Sequence, residues 1–234
     1  SAPMRHPSEP VAQVVTHRVE QGETWQSLAL DFYGDASRAA PLARSNGMDP
    51  ASPPRAGAAV RISLGAREAA RLKRRLEAAS EYNTGLDLAG NGNYAAAAER
   101  FEEALKLDPS FRDASLNCAL ACSRLGAHDR AIRVLRELVS VEPARVDYRF
   151  ALGAVQFAAA ELGGAAKTFE AVLKMESGHR RAVFSLAAVR ERQGNAAEAA
   201  RLYGLYLSLD PRGEWAEAAR SRIEALAPPA GGRR

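Results

Sequence analysis

From residue 78 onward the apolar positions recur every 34 residues. Ala97, Ala131, Ala165 and Ala199 form one column, and Phe101, Leu135, Phe169 and Tyr203 a second. Ala104, Leu138, Val172 and Tyr206 form a third. Turn residues keep the same beat: Gly92, Gly126, Ala160 and Gly194, then Pro109, Pro143, Ser177 and Pro211. Each column has a physical reason. Small alanines let two helices approach closely, and the large column fills the gap between helix pairs. The glycine column ends a first helix, where a left-handed residue is needed. Proline breaks the second helix and starts the next unit. The pattern predicts helix pairs over 78–111, 112–145, 146–179 and 180–213. A last helix, about Glu214 to Leu226, has polar residues on one side and should close the open end.

Residues 14–63 lack this period. A strand-like run, Val14 to Glu20, meets Gly22. Thr24 then opens a helix to Tyr33, with Trp25, Leu28, Ala29 and Phe32 on one stripe. A second helix, about Ser37 to Arg44, ends at Asn46-Gly47, and Ala58 to Ser63 reads as a strand. The order is β-α-α-β, and two short strands need helices over one face to be stable. Residues 64–80 favour helix, with Ala69, Leu72 and Leu76 as a narrow apolar stripe. This linker helix, 64–77, should run into the first repeat helix and join the two parts semi-rigidly. A basic membrane-surface helix is the alternative. Segments 1–13 and 228–234 are expected to be disordered. The fold class is therefore mainly α: a small β-α-α-β module, a superhelical array of four helix pairs over 78–227, and a capping helix at 214–226.

The net charge of +4 loses its meaning once divided. Residues 64–77 carry five bases against two acids, while 78–227 carry 19 bases against 20 acids. A nucleic-acid binder should cluster its bases on a folded face, so no nucleic acid is expected. No run of about 18 apolar residues occurs, so no transmembrane segment is expected. The chain starts at Ser1, which suggests a trimmed N-terminus and leaves room for an upstream lipid anchor. Cys118 and Cys122, four apart on a helix, read as packing residues; two ligands alone do not make a zinc site. No phosphate loop, nucleophile turn or metal cluster is visible. His6, His17, His128 and His179 are scattered. The expectation is no enzyme, no cofactor and no metal.

Residues 78–227 resemble the tetratricopeptide repeat family, on the glycine, alanine, aromatic and proline columns above and on Gly85 and Gly153 at the early glycine position. The resemblance implies a superhelix whose first helices line a concave groove for a protein partner. By register, the groove carries Tyr82, Leu116, Phe150 and Phe184; beside them stand Asn83, Asn117 and Ser185; and Phe157 lies one column on. In family members the Asn at the Asn83 and Asn117 position often bonds a bound peptide's backbone; the plain alternative is solvation. The carboxylate clamp of one subset is incomplete, because Tyr82, Leu86 and Asp147 replace its residues.

The N-terminal unit resembles a LysM domain. The residues are His17-Arg18-Val19, Gly22-Glu23-Thr24-Trp25, Leu28-Ala29, Phe32-Tyr33-Gly34-Asp35, Leu42-Ala43, Asn46-Gly47-Met48-Asp49, Gly57 and Val60-Arg61-Ile62. Glu23, Trp25 and Ser63 depart from the usual Asp, Leu and Pro. The resemblance implies binding of N-acetylglucosamine polymers, peptidoglycan in bacteria. The site would lie between Gly22, Glu23, Thr24 and Trp25 and the turn of Asn46, Gly47, Met48 and Asp49. Alternatives stand beside it: Thr24 as a helix cap, Trp25 as core, Gly47 as a helix stop, and Asn46 as a loop residue. The expected function is an adaptor of the bacterial periplasm or cell envelope, holding glycan at one end and a protein at the other. The competing reading is a protein assembly scaffold, periplasmic or cytoplasmic, whose first unit binds no sugar.

Overall fold

A computed structural model of the chain describes residues 11–227. The segment expected to be disordered at 228–234, and 1–10 of the one at 1–13, lie outside the described residues. Residues 11–13 correct the expectation: the Ala12 N–H donates to the Leu64 carbonyl at 2.8 Å, and Gln13 opens the first strand. The chain divides into two compact units between Ala79 and Ser80.

In the first unit, β1 (Gln13–Arg18) pairs antiparallel with β2 (Ala59–Leu64), Val15 opposite Ile62 and His17 opposite Val60. Between them run α1 (Trp25–Tyr33), a 3-10 turn (Ala36–Arg38) and α2 (Ala39–Ser45). On β2 the period of two is complete: Val60, Ile62 and Leu64 are buried, and Ala59, Arg61 and Ser63 are exposed. The buried row meets Trp25, Leu28 and Ala29 of α1 and Leu42 and Ala43 of α2. The strand expected to reach Glu20 leaves the regular ladder at Arg18, although Val19 still exchanges hydrogen bonds with Gly57 and Ala58. The second helix starts late because Asp35 caps a tighter turn first, accepting from the Ser37 N–H at 2.9 Å.

α3 (Ala66–Gly90) is continuous. Its first turns are not a free linker. Ala69 and Leu72 pack on the core of the first unit, while Leu76 is 63% exposed. Arg71 and Arg75 both donate to the Asp31 carbonyl, at 3.1 and 2.6 Å. Glu68 pairs with Arg38 and accepts from the Gly65 N–H. Two of the basic residues that suggested a membrane-surface helix are thus committed to the end of α1.

The second unit contains the rest of α3 and α4 (Tyr94–Leu107), α5 (Arg112–Arg124), α6 (His128–Val141), α7 (Val146–Ala158), α8 (Leu162–Met175), α9 (Arg180–Arg192), α10 (Ala196–Leu209) and α11 (Ala216–Leu226). The three apolar columns are all buried. Gly85 and Gly153 face Phe101 and Phe169 so closely that a Cβ would stand 2.6 and 2.8 Å from those rings. The turn column is left-handed throughout: φ is +78° at Gly92, +83° at Gly126, +80° at Gly194 and +59° at Ala160. On α11, Ala216 and Ala219 are buried, and Trp215 beside it packs on Phe184 and Tyr206. No helix among the described residues is long and apolar enough to cross a membrane.

Candidate binding clefts

The array carries a cleft of about 780 Å³. Its floor is Leu116 and Leu120 of α5 with Phe150, Ala151, Ala154 and Val155 of α7. Its polar lining includes Arg124, Asp147, His179 and Arg181. Phe150 is the best-buttressed of these. His179 stacks on it at 5.1 Å, the Arg181 guanidinium lies 4.8 Å from its centroid, and Phe169 supports it at 5.6 Å. Arg181 also reaches within 5.9 Å of the Trp215 ring. His179 caps α9, its Nδ1 accepting from the Ala182 N–H at 3.1 Å, which leaves its ring hydrogen on Nε2. Arg145 grips Asp147 with two donors at 2.9 and 2.6 Å. Those bonds, working against desolvation, hold the Asp147 carboxyl below its ordinary value.

Of the residues expected in the groove, Leu116 and Phe150 line this cleft. Tyr82 and Phe184 instead fill gaps between helix pairs. Tyr82 packs against Phe101 and Phe111 at 5.7 and 4.8 Å. Phe184 packs among Tyr203, Tyr206 and Trp215. Asn117 donates to the Tyr82 hydroxyl at 2.9 Å and the Asp113 carbonyl at 3.0 Å, so both its amide hydrogens are used internally. Asn83 is exposed, Ser185 half-buried, and Phe157 lies under the Arg192 guanidinium at 4.9 Å. Sequence reasoning missed Arg181, and named Asp147 only as a departure from the carboxylate clamp. Each stands three residues before a member of the aromatic column, on the same helical face, and that spacing was the available signal.

The first unit has a smaller cleft, about 340 Å³, lined by Trp25, Met48 and Asp49 together with Ser52, Pro53, Pro54, Arg55 and Ala58. Trp25 is core: it is 2% exposed, and its indole N–H donates to the Ser52 carbonyl at 2.8 Å, fastening the following loop. It is therefore a floor, not an exposed platform. Asn46 is consumed. Its Nδ2 donates to the Leu42 and Arg61 carbonyls, at 3.0 and 2.9 Å, and its Oδ1 accepts from the Arg61 N–H at 2.8 Å. Thr24 caps α1 in a reciprocal pair with Ser27. Glu23 accepts from His17 and from the Glu20 N–H, both at 2.7 Å. Desolvation pushes the Glu23 carboxyl up, but those hydrogen bonds outweigh it and the group lies below its ordinary value. Gly22 and Gly47 are left-handed, with open space where a Cβ would stand. Asp49 accepts from the Ala51 N–H and the Ser52 hydroxyl. Ser52, Pro53 and Arg55 were not foreseen, because 50–55 reads only as loop.

Cys118 and Cys122 are buried; burial first, and Cys122 second, push the Cys118 thiol up to about 12, the form of a packing residue. Among the described residues no group of three His, Cys, Asp or Glu is arranged to hold a metal.

The tetratricopeptide repeat sequence model matches residues 82–148 and 150–214. Among solved structures, PilF of Pseudomonas aeruginosa aligns at TM-score 0.57 and 17% identity, over 66% of this chain and 69% of that one. A MamA fragment, 41 to end, from Desulfovibrio magneticus RS-1 aligns at 0.55 and 21%, over 63% and 83%. YrrB, described as a tetratricopeptide repeat protein with an unusual peptide-binding site, aligns at 0.54 and 21%, over 66% and 79%. At these identities the likeness is one of fold. No curated protein matches the sequence.

Proposed function

The chain belongs to the tetratricopeptide repeat family, and we propose that it is a non-catalytic adaptor of the bacterial cell envelope. In this reading the array holds a segment of a protein partner in its concave cleft, and the N-terminal LysM-like unit holds peptidoglycan. The observation that carries the first half is the 780 Å³ cleft with Phe150 fixed at its floor by His179, Arg181 and Phe169. A rigid aromatic anchor in a concave apolar site is what a protein interface uses as a hot spot. YrrB's described peptide-binding site is a parallel in the same fold. The second half rests on motif order and on the 340 Å³ cleft, which includes Trp25, Met48 and Asp49 of the expected turns. One such module binds glycan weakly, and clustering through the array's partner would raise its avidity.

The burial of Trp25 and the commitment of Asn46, Thr24 and Glu23 to internal bonds favour a second reading. There the unit is structural and the protein a scaffold alone. Co-sedimentation with purified sacculi separates the two. The adaptor sediments, and Pro53→Glu with Arg55→Glu, both at exposed positions on the cleft, releases it without changing the circular dichroism. Failure of the wild type to sediment leaves the scaffold reading. Phe150→Ala should abolish partner capture while helicity is kept.

A further inference from the structure

The charges around the array cleft are unbalanced once their partners are counted. Asp147 is held by two hydrogen bonds from Arg145, so its negative charge is answered from outside the cleft. Arg181 is not so answered. It is pinned against the Phe150 and Trp215 rings, and among the described residues no carboxylate pairs with it. Arg124, at the far end of α5, faces only the Tyr94 ring, at 5.7 Å, and again no described carboxylate pairs with it. Elsewhere in the array many arginines are paired: Arg100 with Glu81, Arg112 with Glu142, Arg130 with Glu102, Arg180 with Asp210. A guanidinium held against an aromatic ring keeps donors for a planar acceptor and loses little entropy on binding one. His179, stacked on the same ring with its Nδ1 taken by the Ala182 N–H, adds a donor at Nε2. The floor between these groups is apolar.

We propose that the cleft selects an extended partner segment in which an acidic side chain neighbours a large apolar one, the carboxylate meeting Arg181 or, at the other end of the cleft, Arg124, and the apolar group covering Phe150. This rests on the reading of the array as a peptide holder and adds its specificity. The basic groups lie outside the apolar floor, so the floor supplies contact area and the arginines supply the choice between partners.

The test is selection of displayed random peptides, about twelve residues long, on the full chain. The expected result is a consensus with Asp or Glu within two positions of Leu, Ile, Phe or Trp, enriched about fivefold over the input. In an Arg124→Gln, Arg181→Gln variant the apolar preference should remain and the acidic one should vanish. Both substitutions are at exposed positions and leave the floor intact. Equal recovery of neutral or basic neighbours by the wild type would overturn the proposal. If those peptides are still lost on Phe150→Ala, peptide holding itself survives. Recovery of no peptides, or of peptides indifferent to Phe150→Ala, would overturn both.

Discussion

In the array, Phe169 packs against Gly153, and the same arrangement stands two repeats, 68 residues, earlier as Phe101 against Gly85. In the N-terminal unit, Asn46 bridges the end of α2 to Arg61 of β2 once, and no second copy supports it. The array is held by complementary volumes repeated along the chain. The smaller unit adds to its apolar core single hydrogen-bond devices: Trp25 to the Ser52 carbonyl, Asn46 to Arg61, Arg71 and Arg75 to Asp31. A repeated contact fails locally and its neighbours remain. A single device in a small unit has no substitute.

The largest effect should come from breaking the volume rule. In Gly153→Val the new side chain meets the Phe169 ring inside a packed helix pair, and destabilisation of about 3 kcal/mol is expected in urea melts followed by helicity. A loss below about 1 kcal/mol would mean that Phe169 can yield and that the glycine column is not about volume. Next, Asn46→Ala removes three hydrogen bonds, two of them to Arg61 and solvent-exposed, and should destabilise the first unit by about 1 kcal/mol. Amide exchange should quicken at Arg61 and in β1 while the array's amides keep their rates. Uniform loss of protection would contradict the contrast.

Two changes should stabilise the array. Ala160 is the one non-glycine left-handed residue among those described, and Ala160→Gly should raise stability by about 1 kcal/mol. Tyr148 is fully buried, and its hydroxyl has no hydrogen-bond partner among the described residues. Tyr148→Phe keeps the ring and should gain about 0.5 kcal/mol, read as a small rise in the melting temperature. The smallest effect is in the first unit. The folded Glu23 carboxyl lies below its usual value of 4.5, so its contribution is present above that pH and is lost as pH falls through the lowered folded value. Glu23→Gln should flatten that part of the acid profile while leaving the array's profile unchanged.

The same contrast explains what was legible in the sequence. Repetition reports itself: the columns at Ala97, Phe101 and Ala104 located the helix pairs and the left-handed turns, Ala160 included. The chemistry of the array cleft was only half legible. Phe150 and Leu116 follow from register, but register alone does not say which column members pack inward, and Tyr82 and Phe184 do. Asn117 is used by Tyr82 because that tyrosine, one repeat earlier, points its hydroxyl across the gap. In the first unit, the order of elements followed from patterning and turn residues. Trp25 as core and Asn46 as a loop residue were open readings beside the sugar site, but their partners were not legible, because these are backbone groups of distant residues, which no pattern of side chains reveals. The tie from α3 to Asp31 was hidden for the same reason: its acceptor is the Asp31 carbonyl, and the basic run looked solvent-facing.

In the proposed function one chain holds glycan through its first unit and a protein segment through its array. The most direct measurement is sedimentation of a fluorescent peptide, taken from the selection above, with sacculi in the presence of the full chain. The peptide should enter the pellet only when the chain is present. It should be lost from the pellet with Phe150→Ala, and equally with Pro53→Glu plus Arg55→Glu. A peptide that stays in the supernatant while the wild-type chain sediments, or a chain that never sediments, would contradict it.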